Sequence, residues 1–168
     1  MTLDHELDRI FTDRDRGNMQ PTIDALLLIH ASHFDNARVL YEVGGAYDTA
    51  GMEETARGFY ESALAAGLAD DLLRRCYVQY GSTLRTLGEY ENSRKVFAAA
   101  RKKFPESAAL RVFEAITLHA AGLPNDAFAS LLDVAVDLVH SPDLDRYKSA
   151  ISGNAAHIRS LDGSEAGS

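Results

Sequence analysis

The sequence predicts an all-α fold in which pairs of helices repeat along the chain. Three observations predict it. Between the prolines at 21, 105, 124 and 142, apolar residues recur three and four positions apart, the spacing that gathers them on one helix face. No run alternates apolar and polar residues, and no Asn-Gly turn separates β-branched segments, so strands and hairpins are not indicated. Gly51, Gly88 and Gly122 stand 37 and then 34 residues apart, a period that marks stacked helical repeats.

Aligning the chain on these glycines gives three units, 37–70, 74–107 and 108–141, each read as helix, glycine turn, helix. The first carries Leu40, Val43, Gly44 and Tyr47, then Ala56, Tyr60 and Ala63 after the turn. The second carries Tyr77, Tyr80, Gly81 and Leu84, then Ser93, Phe97 and Ala100. The third carries Ala115 and Leu118, then Ala127, Leu131 and Val134. Small residues (Gly44, Gly81, Ala115 and Ala56, Ser93, Ala127) are expected where two helices approach closely, and large ones (Tyr47, Tyr60, Phe97, Leu131) where space between layers must be filled. One unit cannot bury its apolar face alone, so the units must stack. Gly17, Gly51, Gly67, Gly88 and Gly122 are expected as left-handed helix stops. Three extra residues around 69–72 are expected to lengthen the first linker, with Asp70 or Asp71 as N-cap.

The ends read as caps. Residues 3–16 form a candidate helix with the stripe Leu3, Leu7, Ile10 and Phe11. Residues 20–33 form another, with Ile23, Leu26, Leu27 and His30 or Ala31. This pair over 1–36 is a cap or a degenerate repeat. Ser141-Pro142-Asp143 signals a helix start, so residues 142–159 are expected to close the stack through Leu144, Tyr147, Ile151 and Ala155 or Ile158. The chain over 1–161 is thus expected as a single domain, and the polar stretch 162–168 as a flexible tail.

The order of small and bulky positions resembles the tetratricopeptide repeat, most strongly from Tyr77 to Pro105, including Gly81-Ser82-Thr83-Leu84-Arg85-Thr86-Leu87-Gly88-Glu89-Tyr90. With Gly67-Leu68 before it, this stretch is similar to a bacterial group of short, stand-alone proteins of this family. The resemblance implies a right-handed α-α superhelix and a protein-binding role without catalysis. The first bulky position departs from the pattern, being Leu40, Tyr77 and Arg111. In the third unit Arg111 and Glu114 stand at core positions, which implies either a mutual ion pair or a rotated helix that turns Val112, Phe113 and Ile116 inward.

The resemblance further implies a concave groove lined by the first helix of each unit. Carried over, its positions are Arg38, Tyr41, Glu42, Gly45 and Asp48; then Arg75, Val78, Gln79, Ser82 and Arg85; then Ala109, Val112, Phe113, Ile116 and His119. The groove is expected to hold an extended or helical segment of another protein bearing an apolar anchor and an acidic group, since arginine grips carboxylates with two parallel hydrogen bonds. The alternative is a structural role through homo-oligomerisation. A small-ligand sensor or enzyme would require a pocket with convergent polar groups and perturbed ionisation. Family members that clamp the acidic tails of chaperones do so with cations, whereas the matching positions here are Tyr41, Gly45, Gln79, Ala109 and Phe113, so that partner is not expected.

Other functions find little support. A formal charge of −8 repels phosphate backbones, so neither nucleic acid nor an anionic membrane is an expected partner. The one cysteine, Cys76, forbids an intramolecular disulfide and suits the reducing cytoplasm. Its place in a helix predicts a buried small residue. The acidic start has no apolar run behind it, so no leader peptide is expected, and the aliphatic block 25–29 is too short to span a bilayer. His30, His33 and Asp35 have a spacing that could touch a metal, but a zinc site needs three or four ligands and no second cluster accompanies them. No nucleophile elbow, phosphate loop or zinc-protease motif occurs, so neither cofactor nor catalytic residue is expected.

Overall fold

The computed structural model describes residues 2–162, and they form ten helices with no strand among them. In order these are α1 (Leu3–Asp13), α2 (Gln20–Ser32), α3 (Ala37–Thr49), α4 (Glu53–Ala65), α5 (Asp70–Thr86), α6 (Tyr90–Lys103), α7 (Ala108–Ala120), α8 (Pro124–Leu138), α9 (Pro142–Asp145) and α10 (Lys148–Asp162). Asp162 closes α10, and the remainder of the expected tail, 163–168, lies outside the described residues. Two compact units divide the chain, one up to Leu87 and one from Gly88.

Helix starts follow local chemistry. The side chains of Thr2, Asn36 and Ser107 accept the backbone N–H groups of His5, Val39 and Leu110, which satisfies donors that a helix start leaves free. Pro21, Pro124 and Pro142 lie within the first two positions of α2, α8 and α9, where a missing N–H costs nothing. After α3, Gly51 takes φ +75°, and the N–H of Met52 reaches back to Tyr47 O at 2.9 Å, the six-to-one bond of a Schellman stop. Gly67, Gly88 and Gly122 share this left-handed conformation. Gly17 does not: its N–H binds Asp15 Oδ1 at 2.8 Å in a side-chain turn.

In the first unit α3 packs along α4, α4 along α5, and α2 against α3. One cluster joins Leu7 of α1 to Met19, Ile23, Leu26 and Ile29 and to Val39, Val43 and Ala46 of α3. A second joins Leu40 and Tyr41 to Ala56, Tyr60 and Ala63 of α4 and to Cys76 of α5. Gly44 sets the approach of α3 to α4, because a Cβ built there would stand 2.9 Å from Cδ1 of Tyr60, whose side chain is 0% exposed. The expected small-against-large match is therefore present in this unit.

Several expectations are corrected here. α1 stops at Asp13, not 16, and its stripe buries Leu7 but leaves Phe11 41% exposed. Residues 70–72 do not lengthen a linker. They add a turn to α5, which runs 17 residues. Neither Asp70 nor Asp71 caps that helix: Ala69 holds the N-cap position without a side-chain bond, Asp70 takes φ +49°, and Asp71 pairs with Arg74. Both carboxylates still oppose the positive end of the helix dipole.

In the second unit α6 packs on α7, α7 on α8, and α8 on α10. Phe97, Ala100, Leu110, Ala115, Ala127, Ala129 and Ala155 are buried, and the buried hydroxyls of Ser93 and Thr117 meet at 3.1 Å between α6 and α7. Arg111 and Glu114 do not pair with each other. Arg111 reaches Asp137 of α8 and Glu114 receives Arg101 of α6, each at 2.7 Å. α7 is not rotated inward either: Val112 and Phe113 are half-buried and Ile116 is 43% exposed. Leu131 fills no interlayer space, being 41% exposed. The expected closing helix is broken into α9 and α10 around Arg146 and Tyr147, and Tyr147 faces solvent while Ala155 is buried.

Three glycine-to-alanine changes separate the backbone from the packing. Gly51 has open space around its Cβ direction, so Gly51→Ala is expected to cost about 1 kcal/mol through its positive φ alone. Gly58, exposed within α4 and equally open, should gain about 0.5–1 kcal/mol as alanine. Gly44→Ala should cost about 1–3 kcal/mol from overpacking against Tyr60. Urea melts of the three variants check the order, and equal effects would refute it.

Candidate functional site

The groove positions expected in the first two repeats all lie in the first unit, on α3 and α5. The fold engages four of them internally, Arg38, Tyr41, Glu42 and Asp48. Arg38 of α3 reaches back to α1, donating to Asp4 at 2.8 Å and to Asp8, and its Nε lies 3.8 Å from Glu42. Burial works against its charge, but these carboxylates hold the guanidinium above its usual range. Tyr41 is buried, and burial pushes its hydroxyl up to about 12. Asp48 accepts from Tyr60 Oη at 3.2 Å on one oxygen and has Thr83 Oγ1 at 3.1 Å from the other. Burial raises its carboxyl above the ordinary range, and the two hydroxyls pull it back only in part. Thr83, in the last turn of α5 and buried, was not singled out by the sequence reading. Its signal was a small polar residue directly after Gly81-Ser82.

Around Tyr41 the helices enclose a pocket of about 170 Å³. Its floor is apolar, made by Leu7 and Ile10 of α1, Met19, Leu26 of α2, and Ala46 of α3. Phe11 of α1 forms a wall. Arg14 Cζ lies 3.6 Å from the centre of the Phe11 ring and Arg75 Cζ 5.8 Å from it, both within cation–π reach. Arg16 completes a cationic rim. Among the described residues no carboxylate forms an ion pair within 4.0 Å of Arg14, Arg16 or Arg75. Glu42 also lines the pocket, half-buried, its carboxyl raised by burial and restrained by Arg38 and then Arg75. The pocket thus unites Tyr41, Glu42, Gly45, Arg75 and Gln79 from the expected groove with Phe11, Arg14, Arg16 and Met19. These last four escaped a reading that drew groove residues only from the repeats.

α5 carries a second feature. Gln79, Ser82 and Arg85 follow one another at helical spacing on one face. Gln79 Oε1, Ser82 Oγ and Arg85 Nη1 are all covered yet have no hydrogen-bond partner among the described residues. Desolvation holds the Arg85 guanidinium below its usual range.

In the second unit, α7 presents Val112, Ile116 and His119 along one stripe with Phe113 beside it. Ile116 and His119 are exposed. His30 packs edge-on to Phe59 at 5.6 Å, and His33 Nδ1 lies 3.2 Å from Ile29 O. No group of three metal-ligating side chains occurs among the described residues. Cys76 is buried, and burial pushes its thiol up to about 12, the protonated, unreactive regime.

The repeated helix pairs and the Gly44–Tyr60 notch agree with the family model described as Tetratrico peptide repeat, which matches residues 37–158. The chain belongs to the tetratricopeptide-repeat family. Repeats of this family are protein–protein interaction modules. The tetratricopeptide-repeat match runs past 141 through α9 and most of α10, segments that the sequence reading set aside as a cap, and leaves α1 and α2 outside. No curated protein matches the chain. No helix among the described residues of this repeat protein is long and apolar enough to cross a membrane.

The Asp48 network of the repeat has a pH signature. A carboxyl whose folded value lies above its ordinary 3.8 binds its proton more tightly folded than unfolded. Its contribution to stability is therefore present below the ordinary value and lost as pH rises through the folded one. In Asp48→Asn that dependence should vanish, so the variant's stability relative to the parent should improve with rising pH above the ordinary aspartate range. Urea unfolding at a series of pH values checks this; a difference that does not vary with pH would refute it.

Proposed function

We propose that this protein is a non-catalytic interaction module that holds a segment of another protein against the inner face of α5. The observation that carries the reading is the row of unpartnered polar atoms on Gln79, Ser82 and Arg85. Each residue remains half-exposed, so a small rotamer change presents its polar end. An incoming backbone supplies what each lacks: an N–H for Gln79 Oε1, either partner for Ser82 Oγ, and a carbonyl or carboxylate for Arg85. The desolvation that the free protein already bears then adds to affinity instead of opposing it. An acidic group on the segment suits Arg85, whose fork binds carboxylates with fixed orientation. The stripe Val112, Phe113, Ile116 and His119 on α7 offers a separate apolar contact in the second unit. The lone, buried Cys76 thiol fits a reducing, cytoplasmic setting.

The test is capture from native cell extract by the intact protein and by Gln79→Ala/Arg85→Ala, followed by measurement of Kd for each protein identified. A partner bound by the intact form and weakened about tenfold or more in the variant supports the reading, as expected when a charge-assisted bond is lost at a desolvated site. Equal retention by both forms sinks it. If both forms retain only further copies of themselves, homo-oligomerisation becomes the working role.

A further inference from the structure

The pocket walled by Phe11 adjoins the α5 row at Gln79, which lines it, but its cations and apolar floor give it a chemistry of its own. We infer that it is a binding site for a small free carboxylic acid with a compact apolar body, of the size of phenylacetate or 4-methylpentanoate. Two observations converge on this ligand. The first is shape. A volume of about 170 Å³ lies close to the ~150 Å³ apolar cavity that accepts one benzene ring, and below the ~300 Å³ at which drug-sized sites begin. Leu7, Ile10, Met19 and Leu26 supply an aliphatic floor and Phe11 an aromatic wall, with Thr22, Thr49 and Gln79 as polar edges, so one ring or branched chain with a polar head is what it takes. The second is charge. The guanidinium groups of Arg14 and Arg75 stand 3.6 and 5.8 Å from the centre of a single phenyl ring, and no carboxylate of the described chain pairs with either.

Two like charges gathered at an apolar cavity repel one another, and in a chain of net charge −8 acidic residues are plentiful enough to have paired with them. Glu42 lines the same cavity; its ion pair is with Arg38, and it acts on Arg75 and Arg14 only through space, so one carboxylate is shared among three guanidinium groups. A ligand carboxylate at the rim would bind Arg75 and Arg14 while its body lies on Leu7, Met19 and Leu26. An uncharged ligand would leave the cations as they are. The N-terminal helices outside the family match therefore convert the end of a repeat scaffold into a ligand pocket.

The test measures binding of phenylacetate to the intact protein by calorimetry and by thermal shift at millimolar ligand. Phenylacetamide serves as the uncharged isostere and N-acetyl-Gly-Gly-Phe as a chain end bearing the same group. Phenylacetate is expected to bind and raise Tm, phenylacetamide to bind at least about tenfold more weakly, and Arg75→Gln to reduce phenylacetate affinity by about the same factor with its own far-UV spectrum unchanged. Arg14→Gln supplies a second variant should the first fail to fold. Absence of binding, or equal binding of acid and amide, overturns the inference. Tighter binding of the peptide than of phenylacetate assigns the pocket to protein chain ends and overturns the small-ligand assignment. Ser82 and Arg85 are untouched by these variants, so failure here leaves the α5 reading to stand or fall on its own experiment.

Discussion

The first unit depends on one buried side chain, Tyr60. Its ring occupies the notch that Gly44 leaves on α3, and its hydroxyl donates to Asp48 on that same helix. Asp48 in turn meets Thr83 of α5. A single tyrosine thus sets the distance between α3 and α4, and the carboxylate it holds ties both to the next helix. The arrangement is costly in isolation, because a half-buried carboxylate must give up water. Two hydroxyl partners offset that cost in part, which is why the carboxyl remains above its ordinary range. The network brings a notch, a phenol and an acid together in one register of α3, α4 and α5.

The second unit solves the same problem with different chemistry. Where the repeat pattern asks for bulky apolar residues, α7 carries Arg111 and Glu114. Each reaches a neighbouring helix instead of the other: Arg111 goes to Asp137 on α8 and Glu114 to Arg101 on α6. The bridged charges keep α7 in its usual orientation, with Leu110, Ala115 and Thr117 buried. Partly exposed ion pairs add little stability of their own. Here they chiefly spare the unit from burying charges unpaired, which costs far more.

Burial and binding are connected through α5. The helix is a turn longer than its neighbours α3 and α4 because residues 70–72 extend it. One side of it buries Cys76, Gly81, Thr83 and Leu84. Another bears Arg75 at the pocket and the row Gln79, Ser82 and Arg85. Groups that a stable fold would ordinarily satisfy are left without a hydrogen-bond partner from the described residues on this face. The proposed binding face and the packing face therefore lie on one helix.

Much of this was legible before any coordinates. Helical spacing of apolar residues, prolines at helix starts and glycines at Gly51, Gly88 and Gly122 determine the helix pairs, because these signals act within a few residues of chain. The small-against-large match of Gly44 with Tyr60 was equally readable, since both positions recur with the repeat. The tertiary structure alone decided the rest. Whether Asp48 faces a partner or a hydroxyl, whether Arg38 is free or held by Asp4 and Asp8, and where Arg111 finds its acid depend on residues 26 to 35 positions away. The pocket at Phe11 is of the same kind: it exists only where α1, α2, α3 and α5 meet. Local propensity determines a helix, but a site assembled from several helices depends on how their side chains meet across space, and no short stretch of sequence encodes that meeting.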